Sequence, residues 1–426
     1  MITQNGGTLM KRGLFLILTG LVALAFTAAP VAAQAKVKLT VWGRDLTDTD
    51  PAHLYISALV KNFQAKNPDI QLDYVALGDP GLADKTKIAM ANNTAPDIVQ
   101  SWGGSVMGGY ADAGRLLDLT ADLKSVPGSA AASQAMSWKG KTYGVAPFFA
   151  IAGLYYNAGI FKSLGIKVPT TVEEFEKAAD TLKAGGIQPF ANGAKDKWPP
   201  LATYMYLVNR YGGDAFGKAQ ARKAPFNGDA FVKAALKYQD WVKKGYFGTK
   251  PLGEAYGDAQ VLMETGKAGM MVSGSWLGGS FADPKTTDQS LAFAAFPVVT
   301  GGVGKVTDVM GMTDIGFIAT KNGAAKKDAI VRFMKFAMGV ETGAVEPGRI
   351  SSVPGVKAPN PLTGQAAAVF AQAQSVQFWW DQDLPPTVTS PLNDTIQTFF
   401  LPDADVKANL TKFEALVTEN VGPVKP

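Results

Sequence analysis

Cysteine is absent from the 426-residue chain, and histidine occurs once, as His53. Without thiols there is no disulfide framework, no cysteine-containing zinc set and no acceptor for lipid attachment. With one imidazole, any Ser-His-Asp nucleophilic system would have to run through His53, around which no serine motif is recognisable. Phosphate-cradling loops are missing too: no GxGxxG follows a strand and no GxxxxGK[ST] occurs, so the glycines of "SWGGSVMGGY" and "VSGSWLGGS" read as loop and turn residues. Charge of one sign is also lacking. The 41 basic and 36 acidic residues leave +5, scattered without long basic runs, which argues against nucleic acid as a partner. No cofactor and no metal is expected.

The one long apolar run stands at the start. Lys11 and Arg12 precede "GLFLILTGLVALAF", and small residues follow to Ala33-Gln34-Ala35, the pattern of a cleaved secretory signal over residues 1–35. The run is shorter than the ~20 residues a membrane span needs, and Met10 is the better-placed start for such a peptide. Removing residues 1–35 from 426 leaves 391 and, with Lys11 and Arg12 gone, lowers the charge from +5 to +3. That length suits two or three domains.

Along the remainder, "KVKLTVW" alternates as a half-buried strand, and Ile56, Leu59, Val60 and Phe63 repeat as one helix face that stops at Asn67-Pro68. "IQLDYVAL" is a second strand, a helix is expected over about Leu82 to Asn92, and "PDIVQSW" is a third strand. This alternation predicts an α/β layer architecture. Near Pro147 the pattern turns extended, and the chain is expected to cross into a second domain. Thr171 and Glu174 have the spacing of a capping box. Helices are expected around Asp229–Lys244, Asp258–Thr265 and Ala325–Met338, strands at "GKAGMMVSGSW" and "DIGFIAT", and a mainly helical tail from Pro361.

Tryptophan carries the functional signal. Trp42, Trp102 and Trp276 each end an expected strand where a polar or Gly-rich loop begins, the edge at which ligands collect in open α/β sheets. In "FWWDQDLPP", Trp379 and Trp380 adjoin Asp381 and Gln382. Trp138 and Trp241 read as core residues. An indole offers an apolar plane to the C–H face of a pyranose, while carboxylates, amides and arginine suit its rim of hydroxyls. Aromatic planes interleaved with Arg44, Asp45, Asn192, Asp381 and Gln382 therefore fit a neutral sugar better than a metal or a phosphate.

"PDIVQSWGGSVMGGYADAGRLLDLT", "PTTVEEFEKAADTLKAGG", "GKAGMMVSGSW" and "FWWDQDLPP" together resemble extracellular solute-binding proteins of the maltose-binding type, in their oligosaccharide branch. The resemblance implies a periplasmic-binding-protein fold: two α/β lobes joined by several crossing segments, with a ligand cleft between them that closes on its ligand. It places residues 36–146 and 298–348 in the N-terminal lobe and 147–297 and 349–426 in the C-terminal lobe. It implies an oligosaccharide ligand, a membrane-embedded ABC permease as partner, a periplasmic location and a monomer. The cleft would be lined by Trp102, Trp198, Trp276 and Trp380, with Trp42, Arg44, Asp45, Arg349 and Asp381 beside them, and Asn192 joins this set from its residue type alone. The opening loop "WGRDLTDTD" differs from that of maltose binders, so the sugar is left open.

Two other functions compete. Asp381 and Asp383 are a candidate carboxylate pair for a secreted glycoside hydrolase, although residues two apart on an extended segment share one side. A peptide or polyamine receptor on the same scaffold is the second alternative.

Overall fold

The computed structural model describes residues 35–44, 53–77, 79–126, 135–339, 348–353 and 356–425. Residues 1–34 of the expected signal peptide (1–35) and Asp45 lie outside the described residues. In the first lobe, β1 (Val37–Arg44) runs parallel to β2 (Ile70–Leu77) and to β3 (Ile98–Gln100). Between them lie α1 (His53–Lys66) and α2 (Asp79–Asn92), and α3 (Gly104–Asp112) follows β3. The expected face of α1 is the one that packs: Ile56, Leu59 and Phe63 are fully buried. Asn67-Pro68 ends the helix because a residue before proline is pushed out of the α region. The strand β1 extends two residues beyond Trp42, to Arg44.

A short hairpin, β4 (Ser137–Trp138) with β5 (Lys141–Thr142), leads into the long β6 (Gly144–Asn157). Beyond it come β7 (Gln188–Ala191), β8 (Ala268–Gly274), β9 (Leu291–Ala294), β10 (Asp308–Ala319), β11 (Ile350–Ser351) and β12 (Ser375–Phe378). Among the described residues the main sheet has the order β2-β1-β3-β10-β6-β8-β7, with β12 on β10 and with β9 and β11 on β6.

Two strands pass from one lobe to the other without breaking. Val145 to Phe149 of β6 pack in the first lobe's core, whereas Ala152 and Leu154 of the same strand pack in the second's. On β10, Met310 belongs to the second core and Ile315 to Ala319 to the first. The two strands pair antiparallel, with irregular register between Thr313 and Phe317. The chain change expected near Pro147 is therefore a position within a continuous strand. Val299 and Met310 pack against the second core, although residues 298–348 were expected in the first lobe. A hydrophobic strand buried on both faces has no composition break to mark where it changes partners.

The second lobe stacks helices on β6, β8 and β7. Thr171 caps the helix Val172–Ala184 through the reciprocal pair with Glu174, as its spacing predicts. Phe175, Phe190 and Trp241 form an aromatic centre, and Trp241 also donates its indole N–H to Glu176 at 2.8 Å. The tail contributes helices Pro361–Ala371, Trp380–Asp383, Pro386–Gln397 and Val406–Val421. Arg210 is fully buried on the helix Pro199–Gly212, where backbone carbonyls of Phe296, Pro297 and Asp308 accept from its guanidinium. Among the described residues no helix is long and apolar enough to cross a membrane.

Candidate functional site: an aromatic cleft between two lobes

A cavity of about 1280 Å³ opens between the lobes and receives side chains from both. Trp102, two residues past the end of β3, enters from the first lobe. Trp198, Trp276 and Trp379 enter from the second.

The second-lobe aromatics form a chain of contacts. The ring of Trp198 lies 4.6 Å from Tyr256 and 5.9 Å from Trp276, and Trp276 lies 5.5 Å from Trp379, each pair tilted by 50–59°. The rings are tilted against one another without stacking, and all four line the cavity. The backbone prepares these positions. Gly274, the last residue of β8, sits beneath the indole of Trp276, and a Cβ there would come within 2.0 Å of the ring. Trp276 donates its N–H to the Tyr256 hydroxyl at 2.7 Å, and that hydroxyl pairs with Ser273 Oγ at 2.9 Å. The Tyr256 backbone N–H donates to Asp196 at 2.8 Å. Burial pushes the Tyr256 phenol well above its usual value, so it remains a neutral hydroxyl.

Charge gathers where the strands cross. Asp314 on β10 accepts from Arg44 at the end of β1 at 3.3 Å and from the Arg349 guanidinium through Nε. Asp314 and Arg349 are buried, and all three line the cavity. A carboxylate held between two guanidiniums keeps both cations desolvated yet satisfied. Gln100 of β3 accepts the Arg44 backbone N–H at 3.0 Å, while its Nε2 has no partner among the described residues.

The opposite rim belongs to the turn Trp380–Asp383. Asp381 lines the cavity with a buried Oδ1 that has no partner among the described residues, and burial raises its carboxyl to about 7. Gln382 is also at the cavity, and its carbonyl faces the start of α3. Gly104 has φ +66°, and a Cβ on it would stand 2.6 Å from that oxygen. The two lobes thus touch at a point where only glycine fits.

Of the residues expected from sequence, Arg44, Trp102, Trp198, Trp276, Arg349 and Asp381 converge on this cavity. Three do not. Trp380 is fully buried in the second core, stacked on Phe216 at 4.4 Å with edge contacts to Tyr204. The helical turn begins at Trp380, and Trp379 precedes it with non-helical backbone (φ −58°, ψ 127°), so the two indoles diverge and Trp379, itself buried, meets Trp276 at the cavity. Trp42 packs half-buried on the first core, because β1 continues to Arg44 and leaves the indole two residues back from the strand end. Asn192 is turned inward, with its amide donating to Tyr238 at 2.8 Å and its backbone N–H to Glu254 at 2.8 Å. Asp45 lies outside the described residues. Sequence reasoning missed Tyr256, Asp314, Gln100 and Trp379 as site residues. The doubled tryptophan was the available signal for the last, but its register on a helical turn was not readable. Among the described residues no group of three or more His, Asp or Glu is arranged to hold a metal ion.

The model of the family described as bacterial extracellular solute-binding protein matches residues 50–344, more than half of the chain. Among curated proteins, the multiple sugar-binding protein of Streptococcus mutans is 25% identical over 381 residues, covering 82% of this chain and 88% of its own. Among solved structures, a protein of xylan utilization by the thermophilic bacterium Caldanaerobius polysaccharolyticus superposes with TM-score 0.81 at 26% identity, covering 89% of this chain and 99% of its own. A chitin oligosaccharide binding protein also superposes with TM-score 0.81 at 26% identity, covering 90% and 98%. With two lobes, crossing strands and a cleft at their junction already in place, the family match makes the chain a member of the bacterial extracellular solute-binding protein family.

Proposed function

We propose that this protein is an extracytoplasmic receptor that captures an oligosaccharide between its lobes and hands it to a membrane-embedded ABC permease. One observation carries the reading: indoles from separate lobes, Trp102 on one side and Trp198, Trp276 and Trp379 on the other, line a single cavity together with Gln100, Asp381 and Gln382. Flat apolar faces with amide and carboxyl groups between them match the alternating C–H faces and hydroxyl rims of a sugar chain. The volume of about 1280 Å³ exceeds the roughly 300–1,000 Å³ of drug-sized sites, which supports several sugar units over one. Relatives named for multiple sugars and chitin oligosaccharides support the same class.

Closure follows from the division of contacts. Each lobe alone offers part of the wall, so ligand favours the state in which both parts meet. In this reading the hinge is formed by the stretches of β6 and β10 that change cores, with Arg349 beside them. An affinity near 1 μM, roughly 8 kcal/mol, suits capture followed by release. The receptor acts as a monomer in the periplasm, reached through the signal at residues 1–35.

A hydrolase is less well supported. Asp381 lines the cavity, whereas Asp383, two residues on along a helical turn, does not. A polyamine would need free carboxylates at its ammonium ends, and Asp314 is already paired with Arg44 and Arg349. The deciding experiment is a thermal-shift screen of the mature protein against neutral oligosaccharides, polyamines and peptides, followed by calorimetry and product analysis. A stoichiometric heat with intact sugar supports the receptor, and released product or stabilisation by polyamines alone refutes it.

A further inference from the structure

Four described residues other than glycine have positive φ: Asn93, Lys139, Lys197 and Arg222. Only Lys197 among them stands between two residues of the cleft wall, Asp196 and Trp198. Its φ is 68° and its ψ −47°, and the Trp198 N–H donates back to the Asp196 carbonyl at 2.8 Å. Together these make a three-residue γ-turn of the rare, strained hand. The next residue is disfavoured as well. Trp198 has helical backbone (φ −73°, ψ −32°) directly before Pro199, where the proline ring crowds its predecessor out of that region. Two successive departures from relaxed backbone meet at one cleft indole.

Strain of this kind persists only where the surroundings over-determine it, and both flanks are fixed. Upstream, Gly193 has φ +71°, and a Cβ on it would stand 2.6 Å from the Tyr256 Cα. The Ala194 carbonyl accepts from Gln397 Nε2 at 2.8 Å, and the Asp196 carboxylate accepts the Tyr256 N–H at 2.8 Å. Downstream, Pro199, Pro200 and Leu201 are buried at the start of the helix Pro199–Gly212. Lys197 itself does not line the cavity. Its exposed side chain meets Asp394, on the helix Pro386–Gln397, at 2.6 Å, and an ion pair so exposed holds little by itself. Rotating Lys197 to an ordinary negative φ would turn the chain by roughly 120° or more. That would break the bond from Trp198 to Asp196 and carry the indole off Tyr256, its neighbour at 4.6 Å.

We propose that Lys197 is a positioning residue for ligand capture: the strained turn centred on it sets the Trp198 plane in the cleft wall. The proposal rests on the sugar reading of the cleft and adds the backbone device that fixes one of its planes without touching the ligand.

The test uses mature protein labelled with 5-fluorotryptophan, with the fluorine resonances of Trp198, Trp241 and Trp380 assigned by the corresponding phenylalanine variants. Lys197→Val puts a β-branched residue at positive φ, the least tolerated choice, and Lys197→Gly the most tolerated. Both lack the ammonium group, so loss of the tie to Asp394 is common to them. Affinity is measured by calorimetry with xylotriose, chitotriose, maltotriose and raffinose. In Lys197→Val the Trp198 resonance should move while Trp241 and Trp380, in the second core, stay. Affinity for whichever sugar binds the parent should fall about tenfold. In Lys197→Gly the Trp198 resonance should stay and affinity remain within about twofold of the parent. An unmoved Trp198 resonance or a parental affinity in the valine variant overturns the proposal. So does a glycine variant that loses as much as valine, since backbone preference would then not set the plane. If valine prevents folding, seen as movement of Trp241 and Trp380 too, Lys197→Ala takes its place and is judged against Lys197→Gly by the same readouts. Where none of the four sugars binds the parent, the sugar reading loses its support separately, and the fluorine resonances alone decide. Trp198 moved by valine and kept by glycine then supports the turn, and any other pattern overturns it.

Discussion

Trp276 and Tyr256 come from different elements, the loop after β8 and the start of the helix Tyr256–Glu264, and are locked by a 2.7 Å hydrogen bond from indole N–H to phenol oxygen. The Tyr256 ring also contacts Trp198, so one side chain touches two of the planes on which the proposed ligand rests, one through its hydroxyl and one through its ring. Tyr256→Phe keeps the ring and removes the lock. Calorimetry should record a loss of about tenfold in affinity for the sugar identified by screening, and urea unfolding a cost near 1 kcal/mol. Unchanged affinity would show that the indole is held by packing alone.

The adjacent tryptophans of "FWWDQD" should separate cleanly. Trp380 fills the second core against Phe216 and Tyr204, so Trp380→Ala is expected to cost about 3–5 kcal/mol of stability without ligand, measured by urea unfolding. Trp379→Ala removes a ring that meets Trp276 at the cavity and is also buried in the second core, so it should cost stability as well, but in the folded variant it should weaken ligand binding by more than tenfold, which Trp380→Ala should not. The reverse pattern would place the sugar wall on the other indole.

Asp381 links pH to stability. Its carboxyl is raised by burial to about 7 in the folded protein, against 3.8 when exposed. Between those values the native state binds more protons than the unfolded state, so stability falls as pH rises from about 4 to about 7 and levels off above. Burial raises Asp383 in the same direction. Asp381→Asn should therefore flatten most, but not all, of this slope when urea midpoints are compared across the window. A slope identical to the parent protein would assign the pH dependence to other groups.

Contact between the lobes depends on Gly104, whose left-handed backbone and 2.6 Å clearance to the Gln382 carbonyl leave no room for a side chain. Gly104→Val should keep each lobe folded but hold them apart. In solution scattering the parent should contract on addition of sugar and the variant should not, with a dissociation rate raised at least tenfold as a rough expectation. Full contraction in the variant would remove this contact from the closure mechanism.

Several of these relationships were legible before any coordinates. Ile56, Leu59 and Phe63 announced α1 because a helix buries one face every 3.6 residues, and Thr171 with Glu174 announced a helix start because capping is local. Trp102 and Trp276 follow strands, and both line the cavity, as the rule for loops at the edge of an α/β sheet expects. Where the reasoning needed orientation it failed, as at Trp379 and Trp380, whose assignment depends on a helical turn only four residues long.

The sequence by itself determined the alternation of strands and helices, the aromatic and hydrogen-bonding character of the cleft wall, and the absence of cysteine. These properties are carried by residue types and short spacings. Tertiary structure alone decided which tryptophan faces the cleft, that Asp314 sits between Arg44 and Arg349, and that β6 and β10 each serve two cores. Those outcomes depend on contacts between residues as far apart as 44 and 314, and periodicity along a chain holds no information about which distant segments meet.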